Sequence, residues 1–270
     1  VDNRQIRVIT AVVLVPPVMA GIAYLSDVVF FAVLLCLILG GTWEFYKLLE
    51  AGERSLMKLP TAFGAVVIPF SVYVGGGSAF VFGIFIFVLS LLIFKLFGRT
   101  PLDKTYEQVA MSMLAVLYYP FFMSFFFPLR EISYHWIFFL CVVTWMNDSF
   151  AYLVGVMFGK RKMYEIISPK KSMEGLAGGF AGGVIGGVAY GRYFMDLSMT
   201  HTVIISVLLV AVGVAGDLVE SMFKRKSGIK DSGVCFPGHG GILDRTDSIA
   251  FAVPVLYFYV TIMGLYGTGV

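Results

Sequence analysis

From Asp217 to Asp247 the sequence gathers charge of both signs. The acids Asp217, Glu220, Asp231, Asp244 and Asp247 are interleaved with Lys224, Arg225, Lys226, Lys230 and Arg245. Asp217, Glu220, Ser221 and Lys224 recur at i, i+3, i+4 and i+7, the spacing that shares one helical face. Asp217 lies several residues inside an apolar run, where a carboxylate is costly unless it is paired or metal-bound. Asp244 and Asp247 are one helical turn apart. Asp217, Asp244 and Asp247 are therefore expected to converge on a hard cation, which prefers oxygen ligands. Gly238, Gly240 and Gly241 would let backbone amides approach an anion closely, with His239 in their midst. The competing reading is a basic membrane-surface loop whose acids merely pair its bases. The intramembrane Asp217, the glycines and the Asp244-Arg-Thr-Asp247 run weigh against it.

A second cluster lies upstream: Lys160-Arg161-Lys162, then Ser168-Pro169-Lys170-Lys171-Ser172-Met-Glu174-Gly175. Ser168 before Pro169 reads as a helix N-cap with proline at the first helical position. A helix start carrying two lysines is a ready phosphate site. For Lys160 to Lys162, anchoring at the membrane surface explains the charge equally well. Asn147-Asp148 falls inside another apolar run. A helix–helix hydrogen bond accounts for the Asn, whereas the ionisable Asp148 favours a role in a site. Glu44 is similar, but it stands close enough to the end of its run for snorkelling to explain it. His135 and His201 receive no role. The three cysteines form no CxxC pair, so neither a disulfide framework nor a zinc site is indicated.

These side chains must be carried by membrane helices. Hydrophobic residues make up 59% of the 270 and charged residues only 14%, against about 45–50% and about 25% in soluble domains. The expected fold is an all-α integral membrane protein, a polytopic bundle of about nine transmembrane helices in one membrane domain. N-terminal helices occupy 1–107, and 108–270 carry the site. Apolar runs of spanning length cover approximately 6–25, 28–49, 59–76, 79–97, 108–127, 134–157, 173–194, 201–222 and 248–267. The Gly75-Gly76-Gly77-Ser78 stretch is read as the turn between the third and fourth. The first run follows Arg4 and Arg7 but has Pro16-Pro17 in its middle and no convincing cleavage site, so it is read as a retained helix. Counting basic residues in alternate gaps places eighteen of the twenty Lys and Arg on one side, leaving Arg130 and Arg192 on the other. Such asymmetry predicts a cytosolic N-terminus, a C-terminus on the opposite side and a cytosolic charged cluster. The seventh run has glycines at 175, 179, 183, 187 and 191 and at 178, 182 and 186. These ladders suit close helix packing, within one subunit or in a homo-oligomer such as a dimer.

The string Ser221-x-Phe223-Lys224-Arg225-x4-Lys230-Asp231-x-Gly233-x2-Phe236-Pro237-x-His239-Gly240-Gly241-Ile242-x-Asp244-Arg245 resembles, without departure, the signature of the phosphatidate cytidylyltransferase (CDP-diacylglycerol synthase) family. The similarity extends to Asp148-Ser-Phe-Ala-Tyr152 and to Ser168-Pro169-Lys170-Lys171 with Glu174-Gly175, covering the C-terminal half. The resemblance implies a nucleotidyltransferase that converts CTP and phosphatidate to CDP-diacylglycerol and pyrophosphate with Mg²⁺, and with a second cation as a further possibility. It implies membrane lipid as surroundings and no nucleic-acid partner. On this reading Asp217, Asp244, Lys224 and Arg245 are catalytic, and Asp217, Asp244 and Asp247 hold metal. Arg225 and Lys230 join Lys224 and Arg245 in neutralising the CTP phosphates and pyrophosphate, with Asp231 beside them. His239, Gly240 and Gly241 shape that cradle. Ser168, Lys170, Lys171 and Glu174 bind substrate phosphate, and Asp148 supports the site. A prokaryotic cytoplasmic membrane is the expected location.

Three other readings compete, of which a CDP-alcohol phosphotransferase is the weakest, because its Asp-Gly-x2-Ala-Arg followed by spaced aspartates is not found. A CTP-dependent polyprenol or phytol kinase would transfer the γ-phosphoryl instead. A polytopic transporter would also place acids and glycines inside helices, but it needs an access path on both faces. Here the polar residues gather on one side.

Overall fold

The computed structural model describes residues 3–98, 102–229, 231–233 and 240–267. Helices follow in the order α1 (Asn3–Tyr24), α2 (Asp27–Ala51), α3 (Lys58–Phe97), α4 (Thr105–Tyr118), α5 (Pro120–Met123), α6 (Phe126–Ile132) and α7 (Tyr134–Phe158). A two-stranded hairpin comes next, β1 (Lys162–Tyr164) and β2 (Ser168–Ser172), and then α8 (Met173–Phe194), α9 (Met199–Lys226) and α10 (Leu243–Ile262). Six stretches are long and apolar enough to cross a membrane among the described residues: Asp27–Ala51, Lys58–Gly75, Gly77–Phe97, Leu102–Ile132, Tyr134–Phe158 and Met199–Lys226. The first, seventh and ninth expected runs are helical too. Glycine dilutes the apolarity of α8, and Asp244, Arg245 and Asp247 open α10.

The stretch α3 is helical throughout but doubles back on itself. A Cβ added to Gly83 would lie 2.6 Å from Ser71 Cβ, whereas twelve residues of straight helix rise about 18 Å. The reversal falls around the glycines expected to form a turn. It lets Ile68 pack with Phe87 and Leu91, and with Val116 of α4, in one buried cluster. The fifth run is broken after Tyr118, where Pro120 cannot supply a backbone N–H to continue the helix.

Two compact units result. One comprises residues 1–128 and 223–246, the other 129–222 and 247–270. In the first, Phe223 makes edge contacts with Phe45 of α2 and Tyr118 of α4. The Tyr119 hydroxyl lies 2.9 Å from Thr246 Oγ1. In the second, the ladder of Gly178, Gly182 and Gly186 on α8 faces α7. The other ladder meets α7 at Gly175 and Gly179 and approaches Val210, Ser206 and Thr202 of α9 at Gly183, Gly187 and Gly191. A Cβ at Gly182 would stand 2.5 Å from Phe150 Cβ, one at Gly178 2.6 Å from Val154 Cβ, and one at Gly175 2.8 Å from the Ala151 carbonyl oxygen. The ladders therefore serve packing within one chain. We expect Gly182→Ala to destabilise the protein by about 1–3 kcal/mol, the cost of overpacking a close contact. A thermal melt in detergent would read this, and an unchanged midpoint would show that α7 can move aside.

The hairpin corrects the expectation of a purely helical chain. It also corrects the expected helix start. Ser168 begins strand β2, paired with Tyr164, and Ser172 pairs with Lys162. The helix begins at Met173, where the Ser172 hydroxyl accepts the Gly175 N–H at 3.1 Å. Pro169 is tolerated because a two-stranded hairpin is all edge. The Glu174 carboxylate accepts the backbone N–H groups of Lys160 and Arg161 at 3.0 and 3.2 Å, closing the base of the hairpin onto α8.

Candidate functional site

The second unit contains a pocket of about 440 Å³. Its walls come from α7 (Asn147, Asp148, Tyr152), the hairpin (Met163, Lys170, Lys171), α9 (Val214, Asp217) and Ser248 of α10. The close α7–α8 packing and the capped start of α8 deliver the two lysines. The Lys171 ammonium is ion-paired with Asp217 Oδ2. Asp217 Oδ1 accepts the Ser221 hydroxyl at 3.3 Å, as the i, i+4 spacing requires. The side chains of both Lys171 and Asp217 keep 31% of their surface exposed, so the pair faces into the pocket. Asp148 is exposed, and its Oδ1 accepts an N–H of Asn147 at 3.1 Å. The pocket thus offers two carboxylates and two ammonium groups.

The first unit holds a separate cradle built on Asp244. Its Oδ1 accepts Lys224 Nζ at 2.8 Å, and its Oδ2 accepts the backbone N–H groups of Ser232 and Gly241, each at 2.9 Å. Burial works to raise the pKa of this carboxyl. The Lys224 hydrogen bond and the two amides more than offset it, and hold the group below the usual carboxylate range. Gly240 has φ +83, and a Cβ there would be 2.6 Å from Asp244 Oδ2, so glycine is required on both counts. Behind Asp244 sits Glu44 of α2, buried rather than snorkelling: its Oε2 accepts the Leu243 N–H at 2.8 Å and the Ser232 hydroxyl at 3.2 Å.

The other expected residues divide as follows. Lys170 and Asp148 line the pocket, whereas Ser168 and Glu174 are absent from its walls. Arg225, Asp231 and Arg245 are exposed. Asp247 Oδ1 accepts the N–H of its own neighbour Ser248 at 2.6 Å. Lys230 and His239 lie outside the described residues. Among the described residues no group of three or more His, Cys, Asp or Glu side chains is placed to hold a metal ion. Within either unit, the described side chains do not bring three carboxylates together. Asp217 and Asp247 belong to one unit and Asp244 to the other, and Asp217 and Asp244 each carry a lysine. Mg²⁺ does not need three: one or two carboxylates with water and substrate phosphates are its usual shell. The hard oxygens of Asp217 and Asp148, which line the same pocket from α9 and α7, fit that requirement. Sequence reasoning gave no role to Ser248 or Tyr152 of the pocket, or to Glu44 of the cradle. Tyr152 stands in the family-similar Asp148–Tyr152 stretch, and Glu44 is marked as an acid inside an apolar run.

Comparison with known proteins agrees with the chemistry. Residues 5–263 match the cytidylyltransferase family. The chain is 39% identical over 173 residues to a phosphatidate cytidylyltransferase of Staphylococcus aureus (strain COL), a match covering 62% of this chain and 66% of that protein. It is 33% identical over 233 residues to the phosphatidate cytidylyltransferase of Bacillus subtilis (strain 168), covering 82% of this chain and 86% of the relative. A third relative so named, from Staphylococcus haemolyticus (strain JCSC1435), is 33% identical over 236 residues, or 86% and 88% of the two chains.

Proposed function

The chain belongs to the cytidylyltransferase family, and from that premise we infer that it transfers CMP from CTP to phosphatidate, giving CDP-diacylglycerol and pyrophosphate. The observation that carries the reading within the structure is the pocket in which Lys170 and Lys171 stand with Asp148 and Asp217. Paired charges of both signs suit a phosphate together with its counter-cation, and the apolar Val156 and Leu176 beside them suit a substrate that comes from lipid.

An oxygen of the phosphatidate phosphomonoester attacks the α-phosphorus of CTP. The bond from that phosphorus to the β-phosphate bridging oxygen breaks, and pyrophosphate leaves. The nucleophile is already largely ionised at neutral pH, so no strong general base is required. The barrier lies in bringing two anions together, and positioning and charge neutralisation lower it. Lys170 and Lys171 hold a substrate phosphate. Asp217, with Asp148, would hold Mg²⁺, which supplies neutralisation of phosphate charge when bound. Asp247 is the further expected ligand. In the cradle, Asp244 fixes the Lys224 ammonium and the Gly241 amide. Lys224, with Arg225, Lys230 and Arg245, takes the negative charge of the nucleotide phosphates and the departing pyrophosphate.

The same reading includes nine spans, the first, seventh and ninth apolar runs joining the six, in a prokaryotic cytoplasmic membrane. The N-terminus and the charged cluster face the cytosol, where CTP is available. Arg130 and Arg192 alone on the other side support this orientation.

Purified protein in phosphatidate-containing liposomes is expected to move label from the α-phosphate of CTP into lipid and to release pyrophosphate. Lipid labelled only from the γ-phosphate would mean a kinase, and no phosphatidate-dependent pyrophosphate would end the proposal.

A further inference from the structure

Glu44 is 188 residues from Ser232 and 199 from Leu243, yet its one carboxylate meets both. Its side chain keeps 7% of its surface exposed, deep for an acid on an apolar helix. Burying a carboxylate there is unfavourable unless its hydrogen bonds are directed, and the directed ones go to two places in the charged segment. The Ser232 hydroxyl stands in the 231–233 stretch, and the Leu243 N–H is at the first residue of α10. The fit is close. A Cβ at Gly233 would come within 2.7 Å of Glu44 Cδ, and one at Gly241 within 2.6 Å. Two glycines, one in each stretch, thus leave the room that this side chain fills.

Asp244 repeats the pattern. It accepts the N–H groups of Ser232 and Gly241, again one from each stretch, and it holds Lys224. Ser232 is shared: its hydroxyl goes to Glu44 and its N–H to Asp244. The two carboxylates therefore form a double clamp. Asp244 lies on the face that presents Lys224, and Glu44 lies behind it on α2.

We propose that Glu44 is a positioning residue for the Lys224–Asp244 cradle: from α2 it fixes Ser232 against the start of α10, and through them sets where the cradle holds its cation and its Gly241 amide. Its contribution to catalysis rests on the cytidylyltransferase reading above, while its contribution to positioning does not. Glu44 touches no substrate. A side chain too short to reach leaves Ser232 and Leu243 without their common acceptor, and the two stretches lose their register.

The test uses full-length protein in lipid nanodiscs, with Glu44→Ala, Glu44→Asp, Glu44→Gln and a control, Ser112→Ala. Ser112 is fully buried in the same unit and accepts the Met57 N–H at 2.9 Å, far in sequence from the cradle. Hydrogen–deuterium exchange is read over the described parts of 223–246, and kcat and KM for CTP are measured at a temperature where every variant is folded. Glu44→Ala is expected to speed exchange at Ser232 and Leu243 by roughly tenfold or more. It is also expected to lower kcat/KM for CTP by roughly tenfold to a hundredfold, the scale of a displacement of about 1 Å in a charged site. Glu44→Gln, which keeps one acceptor oxygen, should recover part of both, and Glu44→Asp, which lacks the reach, should not. Ser112→Ala should lower the melting temperature with kcat/KM unchanged. Glu44→Ala with wild-type exchange at Ser232 and Leu243 overturns the proposal, as does a kcat/KM loss no larger than that of Ser112→Ala. Should the wild type itself fail to transfer CMP, the functional reading falls, and the exchange measurement still decides the role of Glu44.

Discussion

Asp217→Asn is expected to lower CMP transfer about a hundredfold or more while leaving the protein folded. The carboxylate is paired with Lys171 and takes the Ser221 hydroxyl, and it lines the pocket with Asp148, Lys170 and Lys171. If it carries Mg²⁺, its loss removes charge stabilisation of several kcal/mol at the transferring phosphorus, and each 1.36 kcal/mol is tenfold in rate. The structural cost is small by comparison. Each partner keeps 31% of its side chain exposed, and pairs so open to solvent contribute about 0–1 kcal/mol. Activity and stability therefore separate in this variant: radiolabelled CDP-diacylglycerol should fall steeply and the melting temperature hardly at all. An Asn variant with full Mg²⁺-dependent turnover would remove Asp217 from the metal.

The opposite balance is expected at Asp244, where stability and activity should fall together. Its side chain is 7% exposed and that of Lys224 15%. Asp244→Ala strands a nearly buried ammonium and the N–H groups of Ser232 and Gly241. Removing one partner of such a pair costs about 3–5 kcal/mol. The pH dependence follows from the same contacts. The folded pKa is depressed, so the stabilisation is complete above the ordinary carboxylate value and is lost as pH falls through the lower, folded value. Melting temperatures measured from about pH 5 down to about pH 2 should fall for the wild type below the ordinary carboxylate value. The Asp244→Asn curve should be flatter there. Parallel curves would mean that other carboxylates dominate the acid response.

Much of the architecture is readable from composition and spacing because membrane helices satisfy their own backbone. An apolar run of sufficient length has few alternatives. The reversal in α3 is written in Gly75 to Ser78, and the α7–α8 contact in the glycine ladders. Locally ambiguous polar residues are harder. Ser168 and Ser172 both precede helix-forming sequence, and Pro169 made the wrong one look like a cap. What decides is the pairing of Tyr164 with Ser168 and Lys162 with Ser172, a contact across a turn that no single residue announces. Glu44 was harder still. An acid near the end of an apolar run has snorkelling as its cheapest explanation, and its actual partners are nearly 200 positions away. The carboxylates of the metal expectation are legible by residue type, whereas their lysine partners, 46 and 20 positions away, are not. Asp217 is paired with Lys171 and Asp244 with Lys224.

The Lys171–Asp217 pair couples the affinities of whatever replaces its two members. On the proposed reading each member would be the stand-in for the other's ligand: the ammonium would hold the place of a metal ion, and the carboxylate that of a phosphate. A metal ion taken by Asp217 frees Lys171, and an anion taken by Lys171 frees Asp217. Breaking the pair is a cost that either newcomer meets alone but that both arriving together meet only once. Metal and anion should therefore raise each other's affinity by an equal factor, as linkage demands. On that reading the pocket would favour a metal–nucleotide or metal–phosphate complex over either component by itself.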